Sequence, residues 1–254
     1  MQKFGKKKII YDFDDAIWIS NTTGTNKIVA RIKWHQKVAK ICSWAYKVSV
    51  GNAYLGNFAK QYNQQVFLLP TVVNTSTEHN KIQNHTNKVN IGWTGSHSTL
   101  FYLEMILPVL KRLETQYDFN FYVIADKNPA LPLKSFKFIK WNKQTEIDDL
   151  LNFHIGLMPL HNEEWSKGKC GFKAIQYMAL GIPPIVSPVG MNTTLVEHEK
   201  DGFICHTLEE WETTLRFLLD NHQHRMKLGK DARKKIIEAY SVLSTQEAFV
   251  GLFN

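Results

Sequence analysis

Residues 169–203, KCGFKAIQYMALGIPPIVSPVGMNTTLVEHEKDGF, constrain the fold of this chain more than any other segment. Their pattern predicts a loop, a helix, a tight turn, a buried strand, a glycine loop and a second helix. A strand that ends in a glycine loop and opens a helix is how α/β folds hold a phosphate group. Lys167, Lys169 and Lys173 lie around the start of the first helix, and they indicate that an anion binds there.

The composition narrows the range of partners. The chain has 254 residues, 44% of them hydrophobic, which is enough for one or two cores. Its formal net charge of +8 and its pI of about 9.2 favour an anionic partner such as a nucleotide, a nucleic acid or an acidic membrane face. A basic surface with no special partner is the alternative that charge alone leaves open.

Cysteine usage and the lack of long apolar runs predict a cytoplasmic protein. Cys42, Cys170 and Cys205 are too few and too scattered for a disulfide framework or a zinc site, so they fit a reducing compartment. We expect no membrane span, because no apolar run approaches the ~20 residues that a span needs. We also expect no signal peptide, because the basic N-terminus has no long apolar region.

The first 74 residues predict a partial Rossmann-like domain. We expect strands at residues 8–13, 47–50 and 65–69, and helices at residues 27–43 and 52–59, the latter capped by Asn52. The first strand would present Asp12, Asp14 and Asp15 at its C-terminal edge. Three strands are fewer than an average sheet contains, so we expect either a fragment or a reduced first domain.

A complete α/β domain is predicted at residues 89–240, after a polar linker at 75–88 and before a C-terminal tail at 241–254. The expected strands are at residues 89–93, 119–125, 136–139, 155–159, 185–186 and 202–205. The expected helices are at residues 100–115, 145–152, 208–220 and 222–239, the second with Thr145 and Asp148 as a capping box. Alternating strands and helices of these lengths predict a doubly wound parallel sheet.

Two glycine loops of this domain are candidate anion sites. Gly95, Ser96 and Ser98 follow the first strand, and Gly190, Met191 and Asn192 follow a later one. Both loops would lie at the carboxyl edge of the sheet, where ligands of this fold class bind. The alternative for either loop alone is a plain turn with a hydroxyl cap.

A third candidate element starts the helix after the lysines. Lys173 would lie in the first helical turn, where a cation opposes the helix dipole unless an anion is bound nearby. Lys169 precedes it by four residues, and Gln176 lies one turn further on and can hydrogen-bond hydroxyl groups. Lysines that are merely solvated are the alternative.

These residues also carry a family resemblance. The pattern runs Gly-Trp-x-Gly-Ser-x-Ser-Thr, Ile-Gly-Leu-x-Pro-Leu, Trp-Ser-x-Gly-Lys-Cys-x-x-Lys-x-x-Gln-Tyr-Met-Ala-x-Gly-x-Pro, Ser-Pro-Val-Gly-x-Asn and Asp-Gly-Phe. It resembles the C-terminal half of the group 1 or family 4 glycosyltransferases, which are retaining enzymes of the GT-B fold. Residues 11–18 and 51–55 resemble the latter part of that family's N-terminal domain, whose opening strands have no counterpart here.

The resemblance implies a GT-B-like α/β protein that binds a nucleotide-diphosphate sugar. Gly95, Ser96 and Ser98 would face the diphosphate, and Gln176 would contact the ribose. Lys169 and Lys173 would neutralise the leaving group. The amides around Cys170, Gly171 and Phe172 would meet sugar and phosphate, and Gly190, Met191 and Asn192 complete the expected donor-binding set. The resemblance implies no metal and no cofactor, and it leaves the catalytic residues unidentified.

Two departures from the family pattern indicate a variant site. Many members carry two glutamates eight residues apart, and the matching positions here are Gly168 and Gln176. Gly168 has no side chain with which to bind a sugar hydroxyl. Many members also place an Arg and a Lys in the first glycine loop, where this chain has residues 93–98. Lys169 and Lys173 would take over that positive charge.

Three other functions remain open. Asp12 and Asp14 form an Asp-x-Asp after a strand, which fits a metal-binding GT-A glycosyltransferase or a haloacid-dehalogenase-type phosphatase. Ala16 stands where that phosphatase class usually has Thr or Val. The GT-A alternative needs a nucleotide-binding subdomain upstream of the motif, and only eleven residues precede Asp12. Acids that merely close a strand are the simpler explanation. A non-catalytic nucleotide-sugar-binding fragment that needs a separate N-terminal half is a further alternative.

The resulting expectation is transfer of a sugar to a glycan or lipid-linked acceptor, as in polysaccharide biosynthesis. We expect a cytoplasmic protein with peripheral contact to the inner membrane face, because Trp34 and Trp44 accompany a basic surface. Nucleic acid is not expected as a partner, because no known nucleic-acid-binding motif is present.

Overall fold

The computed structural model describes residues 7–19, 36–83 and 88–254, and it contains two parallel β-sheets. The strands are β1 (Ile10–Phe13), β2 (Lys47–Val50), β3 (Val66–Leu68), β4 (Val89–Thr94), β5 (Phe119–Ala125), β6 (Phe136–Lys140), β7 (Ile155–Met158), β8 (Pro184–Val186) and β9 (Phe203–Ile204). Strands β1 to β3 form the first sheet and strands β4 to β9 the second.

Helices follow most of these strands in the described ranges, although residues 126–135, between β5 and β6, contain none. They span Lys37–Trp44, Ala53–Ala59, Phe101–Glu104, Leu107–Leu113, Glu146–Leu150, Glu164–Lys167, Phe172–Ala179, Asn192–Leu195, Leu208–Asp220, His222–Ala239 and Val242–Gly251. A short 3-10 helix at His97–Thr99 follows β4. No helix among the described residues is both long and apolar enough to cross a membrane.

The six-stranded sheet is doubly wound, as predicted. Its order is β6-β5-β4-β7-β8-β9, and every neighbouring pair is parallel. The chain moves outward from β4 to β6 and then returns to the other side of β4, where Ile91 pairs with Ile155. In such sheets the crevice beyond the carboxyl ends of the two central strands is the usual ligand site. Here those strands are β4 and β7.

Burial on both faces explains why β7 and β8 are continuous apolar runs. All residues of β7 and β8 are buried, and β5 alternates only at its first positions. The core on one side contains Trp93, Phe121 and Trp211, each at most 2% exposed. A parallel sheet covered on both faces requires such strands.

The three-stranded sheet forms a smaller unit, with β2 between β1 and β3. Asn52 caps the helix after β2, as predicted, because its Oδ1 accepts a hydrogen bond from Leu55 N at 2.9 Å. The helix expected at residues 27–43 is described only from Lys37, and it ends at Trp44. Its earlier part lies outside the described residues, as does the expected exposed aromatic Trp34.

Two local predictions were wrong. The helix expected at residues 100–115 is broken into Phe101–Glu104 and Leu107–Leu113, because Pro108 starts a new helix and cannot continue the earlier one. Thr145 does precede the Glu146–Leu150 helix, but it forms no capping box with Asp148. The Thr145 hydroxyl instead donates to the Asp149 carboxylate at 2.7 Å.

The predicted linker and tail both pack on the protein. Residues 75–83 contain no helix or strand, but His79 and Gln83 are buried and Gln83 N donates to Leu180 O. The predicted tail contains the Val242–Gly251 helix, which returns the chain to the first sheet. There the Lys47 ammonium donates to the carbonyls of Gly251 and Asn254. The domain boundaries themselves stay predictions.

Candidate functional site

The loop after β4 is shaped by Gly95. A Cβ at this position would lie 2.4 Å from the Trp93 ring, so only glycine fits the turn. The Ser96 and Ser98 hydroxyls are 2.8 Å apart, and the Ser96 carbonyl accepts a hydrogen bond from Thr99 N. The loop therefore presents backbone N–H groups and hydroxyls at the carboxyl edge of the sheet, which is suitable chemistry for an anion.

The lysine turn, residues 167–171, leads into the Phe172–Ala179 helix. Gly171 has φ of 74°, a left-handed conformation that favours glycine, and it stands at the N-cap. No side chain caps this helix end, so its first N–H groups are open to a ligand. Lys173 lies in the first turn of this helix, as predicted, and it is half-buried. Phe172 is exposed.

Lys173 is held in a site that disfavours its charge. Burial, and secondarily the neighbouring charge of Lys169, lowers the pKa of Lys173 to about 8, while Asp15 opposes that shift. Its ammonium lies 5.9 Å from the centroid of the Trp93 ring. No carboxylate among the described residues forms an ion pair with it. A bound anion would supply the missing countercharge.

A cavity of about 280 Å³ joins the loop after β4 to the Phe172–Ala179 helix. The predicted site residues that line it are Gly95, Ser96, Phe172, Lys173 and Gln176. Ser98 is beside this cavity through its hydrogen bond to Ser96. Gln176 lines the cavity although the residue is only 3% exposed.

The second predicted glycine loop supports the lysine turn and does not line this cavity. A Cβ on Gly190 would lie 2.7 Å from the Lys167 carbonyl oxygen, so this loop packs directly on the turn. Met191 and Asn192 lie beside Gly171. Asn192 is buried and donates through Nδ2 to Ser187 O at 3.1 Å. Its Oδ1 has no hydrogen-bond partner among the described residues.

The smaller unit holds the lysine turn from the other side, through contacts that we call the clamp. Asn52 Nδ2 donates to the carbonyls of Lys167 at 3.3 Å and Lys169 at 3.1 Å. The Cys170 thiol donates to Asp14 O at 3.0 Å. Burial raises the pKa of that thiol to about 12, so Cys170 packs in the core of the smaller unit as a neutral side chain.

Two glycines make the clamp tight. A Cβ on Gly51 would lie 2.3 Å from Cys170 Sγ, and one on Gly168 would lie 2.8 Å from the backbone nitrogen of Ala16. A glutamate at position 168, as many members of the resembling family have, would therefore collide with the segment after β1. The departure noted in the sequence thus has a steric counterpart in the fold.

Lys169 faces an acid from the smaller unit. Its ammonium lies 3.9 Å from Asp15 Oδ1 and 5.7 Å from the centroid of the Trp165 ring, and the side chain is only 15% exposed. Burial raises the pKa of Asp15, while the charges of Lys169 and Lys173 oppose the shift and Asp14 adds to it. Two cations and one carboxylate thus meet where the units touch.

Sequence reasoning missed several residues of this region. Thr94, Asp126, Trp141 and Glu146 also line the cavity, and Asp126 accepts a 2.5 Å hydrogen bond from His97 N. Asp126 and Trp141 directly follow the ends of β5 and β6, so the rule that ligands meet strand ends could have found them. The contacts of Asn52 and Asp15 join distant parts of the chain, and no local pattern signals them.

Other cavities lie away from these residues. One of about 910 Å³ beside β9 is lined mainly by histidine, glutamate and phenylalanine side chains such as His198, Glu210 and Phe217. Asp12 lines a third cavity of about 420 Å³, together with Tyr46 and Phe249. No group of three or more His, Cys, Asp or Glu side chains within residues 7–19, 36–83 and 88–254 is arranged to hold a metal ion.

Comparison with known proteins gives a family and a fold. The sequence profile described as Glycosyl transferases group 1 matches residues 104–235, slightly more than half of the chain. A comparison with curated protein sequences finds no significant match. Among solved structures, an S. aureus TarM mutant in complex with Fondaparinux, alpha-GlcNAc-glycerol and UDP is similar, at 15% identity and a TM-score of 0.75. That match covers 97% of this chain and 51% of TarM.

Two further structures show the same likeness. Sucrose-phosphate synthase from Thermosynechococcus elongatus has 13% identity and a TM-score of 0.73, and the match covers 96% of this chain and 67% of that one. Anabaena Alr3699/HepE in complex with UDP-glucose has 11% identity and a TM-score of 0.74, with 99% and 73% covered. The expected fold class is confirmed: two parallel sheets in a partial GT-B arrangement. The chain spans about half of the length of TarM.

Proposed function

Since this chain belongs to the glycosyl transferases group 1 family, we propose that it transfers a sugar from a nucleotide-diphosphate donor to a glycan or lipid-linked acceptor. The observation that carries this proposal is the pairing of the loop at Gly95 with Lys173 across one cavity. Both groups suit a diphosphate, and both lie at the switch point between β4 and β7.

The proposed binding mode follows from the charges. The diphosphate would lie between the loop at residues 95–98 and the first N–H groups of the Phe172–Ala179 helix. Lys173 and Lys169 would stabilise the negative charge that grows on the leaving diphosphate as the glycosidic bond breaks. Gln176 would hydrogen-bond the ribose, since its amide is buried in the same cavity.

The finer parts of the proposal rest on the motifs. We propose family 4 membership and a reaction that retains the configuration of the sugar, because the patterns around Gly95 and Gln176 resemble that family. We propose that the two lysines provide the charge for which other transferases use a metal ion, so no metal and no other cofactor is needed. A cytoplasmic location with peripheral contact to the inner membrane face belongs to the same proposal.

The donor probe is UDP. HepE was crystallised with UDP-glucose and the TarM mutant with UDP, and these are proteins of similar fold. Isothermal titration of the full chain should show UDP binding, because the cavity offers a cation, hydroxyls and free N–H groups. Lys173→Ala should weaken that affinity about tenfold, the order of one charge-assisted contact to a phosphate.

Lys111→Ala is the matched control, since Lys111 is an exposed lysine on the Leu107–Leu113 helix and does not line the cavity. Its affinity for UDP should equal that of the unmodified chain. Absence of binding for UDP, GDP and ADP at millimolar concentration would overturn the proposed function. Equal losses in both lysine variants would show a general charge effect and remove Lys173 from the site.

A second candidate is a donor-binding unit that is inactive without a separate N-terminal half. The small three-stranded sheet of the described residues favours it. Incubation with UDP-sugars and a hydrolysis assay distinguishes the two. Binding without any release of UDP, with or without oligosaccharide acceptors, would favour the inactive unit, and turnover would favour the transferase.

A further inference from the structure

Asp15 is an acid that the smaller unit brings to Lys169 and Lys173. It lies just after β1, yet its carboxylate is 3.9 Å from the Lys169 ammonium in the other unit. It also opposes the lowered pKa of Lys173. This carboxylate therefore faces both cations that the proposed function assigns to the diphosphate.

The position of Asp15 is fixed by its neighbours. Asp14, before it, accepts the thiol hydrogen bond of Cys170 through its carbonyl. Ala16, after it, is fully buried. It packs against Gly168 so closely that position 168 has no room for a side chain. Asp15 is thus held between two contacts with the lysine turn, and its carboxylate cannot move far from that turn while the clamp is intact.

The carboxylate has unused hydrogen-bonding capacity. The 3.9 Å separation from Lys169 is longer than a hydrogen bond, and no N–H or O–H of a described residue donates to its oxygens. The Asp15 side chain is 42% exposed, so a bound ligand can reach its carboxylate. A diphosphate would be repelled by this group, whereas a hydroxyl could donate to it.

We propose that Asp15 accepts hydrogen bonds from hydroxyl groups of the sugar that the nucleotide carries. This inference rests on the proposed function and assigns one more residue to it. With the diphosphate attracted by Lys169 and Lys173 and repelled by Asp15, the donor is oriented with its sugar toward the smaller unit. Asp15 is then a residue that distinguishes the intact donor from the spent nucleotide.

The test compares UDP with UDP-glucose, UDP-galactose and UDP-N-acetylglucosamine on the full chain by isothermal titration. Asp15→Ala should bind UDP as tightly as before or a few-fold more tightly, because a negative charge near the phosphates is gone. It should bind the preferred UDP-sugar about tenfold more weakly, because a hydrogen bond to a charged group is lost. The expected result is a loss of UDP-sugar affinity without any loss of UDP affinity.

Controls keep this test decisive. Asp12→Ala removes the same charge three residues earlier, within β1, but Asp12 lines a different cavity, so neither affinity should change. If the alanine variant folds poorly, Asp15→Asn replaces it. With an unchanged melting temperature, Asp15→Asn should show an intermediate loss of UDP-sugar affinity. The role of Asp15 would be overturned, but not the proposed function, if the unmodified chain bound UDP as tightly as every UDP-sugar. Parallel changes in the affinities for UDP and UDP-sugar in both Asp15 variants would have the same meaning. No binding of any nucleotide would overturn the proposed function as well.

Discussion

Lys173 is a cation in a place where the fold disfavours a cation. It is half-buried at the positive end of a helix, beside a second lysine, and its pKa is lowered to about 8. Because the unfolded chain binds this proton up to its ordinary pKa of 10.5, the unliganded protein gains stability from this group as pH rises from about 8 to 10.5. The affinity for a diphosphate should fall in the same interval.

The expected consequence is proton uptake on binding. A bound diphosphate restores the charged form of Lys173, so UDP binding at pH 8 should take up about half a proton from the buffer. Titrations in buffers of different ionisation enthalpy measure this number directly. Lys173→Met, which cannot be charged, should abolish most of the uptake, whereas equal uptake in that variant would contradict the assignment of the titrating group.

At the residue scale, positions next to strand and helix ends were easier to recognise from the sequence than contacts between distant residues. Gly95, Lys173 and Gln176 share a cavity because each follows a strand or opens a helix, and such positions show in the local pattern. Asp15 could be recognised as an acid at a strand end, but its proximity to Lys169 could not. That contact spans more than 150 residues of sequence, and no periodicity encodes it.

At the scale of elements, Asn52 links a helix cap to the lysine turn. One end of its amide caps the Ala53–Ala59 helix, and the other end donates to two carbonyls of the turn. Asn52→Ala should lower the free energy of unfolding by about 1–2 kcal/mol through the lost cap. It should also weaken UDP binding several-fold, because the turn that carries Lys169 loses its support.

A cap elsewhere in the chain separates these effects. Asn52→Asp keeps the capping oxygen but buries a carboxylate that faces two carbonyls, so both the UDP affinity and the free energy of unfolding should fall. Thr207→Ala removes the cap of the Leu208–Asp220 helix, whose Glu210 N donates to the Thr207 hydroxyl. It should cost stability and leave UDP affinity unchanged. Denaturant unfolding and titration measure both quantities, and a Thr207→Ala variant with weakened UDP binding would contradict this division.

The success of element prediction followed the strength of each local signal. The helices Leu208–Asp220 and His222–Ala239 were predicted with their observed bounds, because long amphipathic periodicity dominates there. The interruption before Pro108 was missed because the apolar periodicity continues across it, although proline cannot lie in a helix interior. The capping box at Thr145 did not form because the Thr145 backbone is in the right-handed helical region, with φ of −111° and ψ of −1°, whereas an N-cap residue is extended.

At the scale of the whole molecule, the C-terminal segment joins the two sheets. The Val242–Gly251 helix has no buried residue, so it is held mainly at its ends. At one end, Ser241 forms a β-bridge with Val73. At the other end, Lys47 donates to the carbonyls of Gly251 and Asn254, and Leu252 is buried. A segment with so few buried contacts should have low local stability.

Lys47→Met tests this attachment. The apolar part of the side chain is kept, but hydrogen bonds from a charged donor are lost, so the free energy of unfolding should fall by about 1–3 kcal/mol. Limited proteolysis should then cleave within residues 242–254 before the rest of the chain. Lys60→Met, at an exposed lysine, is the control. Equal protease resistance of the Lys47 variant and the unmodified chain would show that Lys47 does not hold the segment.

The doubly wound parallel sheet was predictable from the sequence, whereas the assembly of the two units was not. Alternation of buried strands and helices is typical of parallel sheets covered by helices on both faces. The docking of the polar stretch at residues 75–83 depends on contacts between residues far apart in the sequence, such as those of Gln83 with Leu180 and of Arg233 with the carbonyls of His79 and Lys81. The return of the C-terminal helix depends on such contacts as well. Such contacts leave no trace in composition or periodicity.

The clamp has a consequence for mechanics. Because the lysine turn is fixed by Asn52 and by the segment at Asp14, separating the two sheets would also pull on the groups proposed to hold the diphosphate. Linkage is reciprocal: if separation weakens nucleotide affinity by some factor, bound nucleotide must resist separation by the same factor. The force needed to separate the two sheets would then depend on whether a nucleotide occupies the proposed site. A bound nucleotide would hold the two sheets together reversibly.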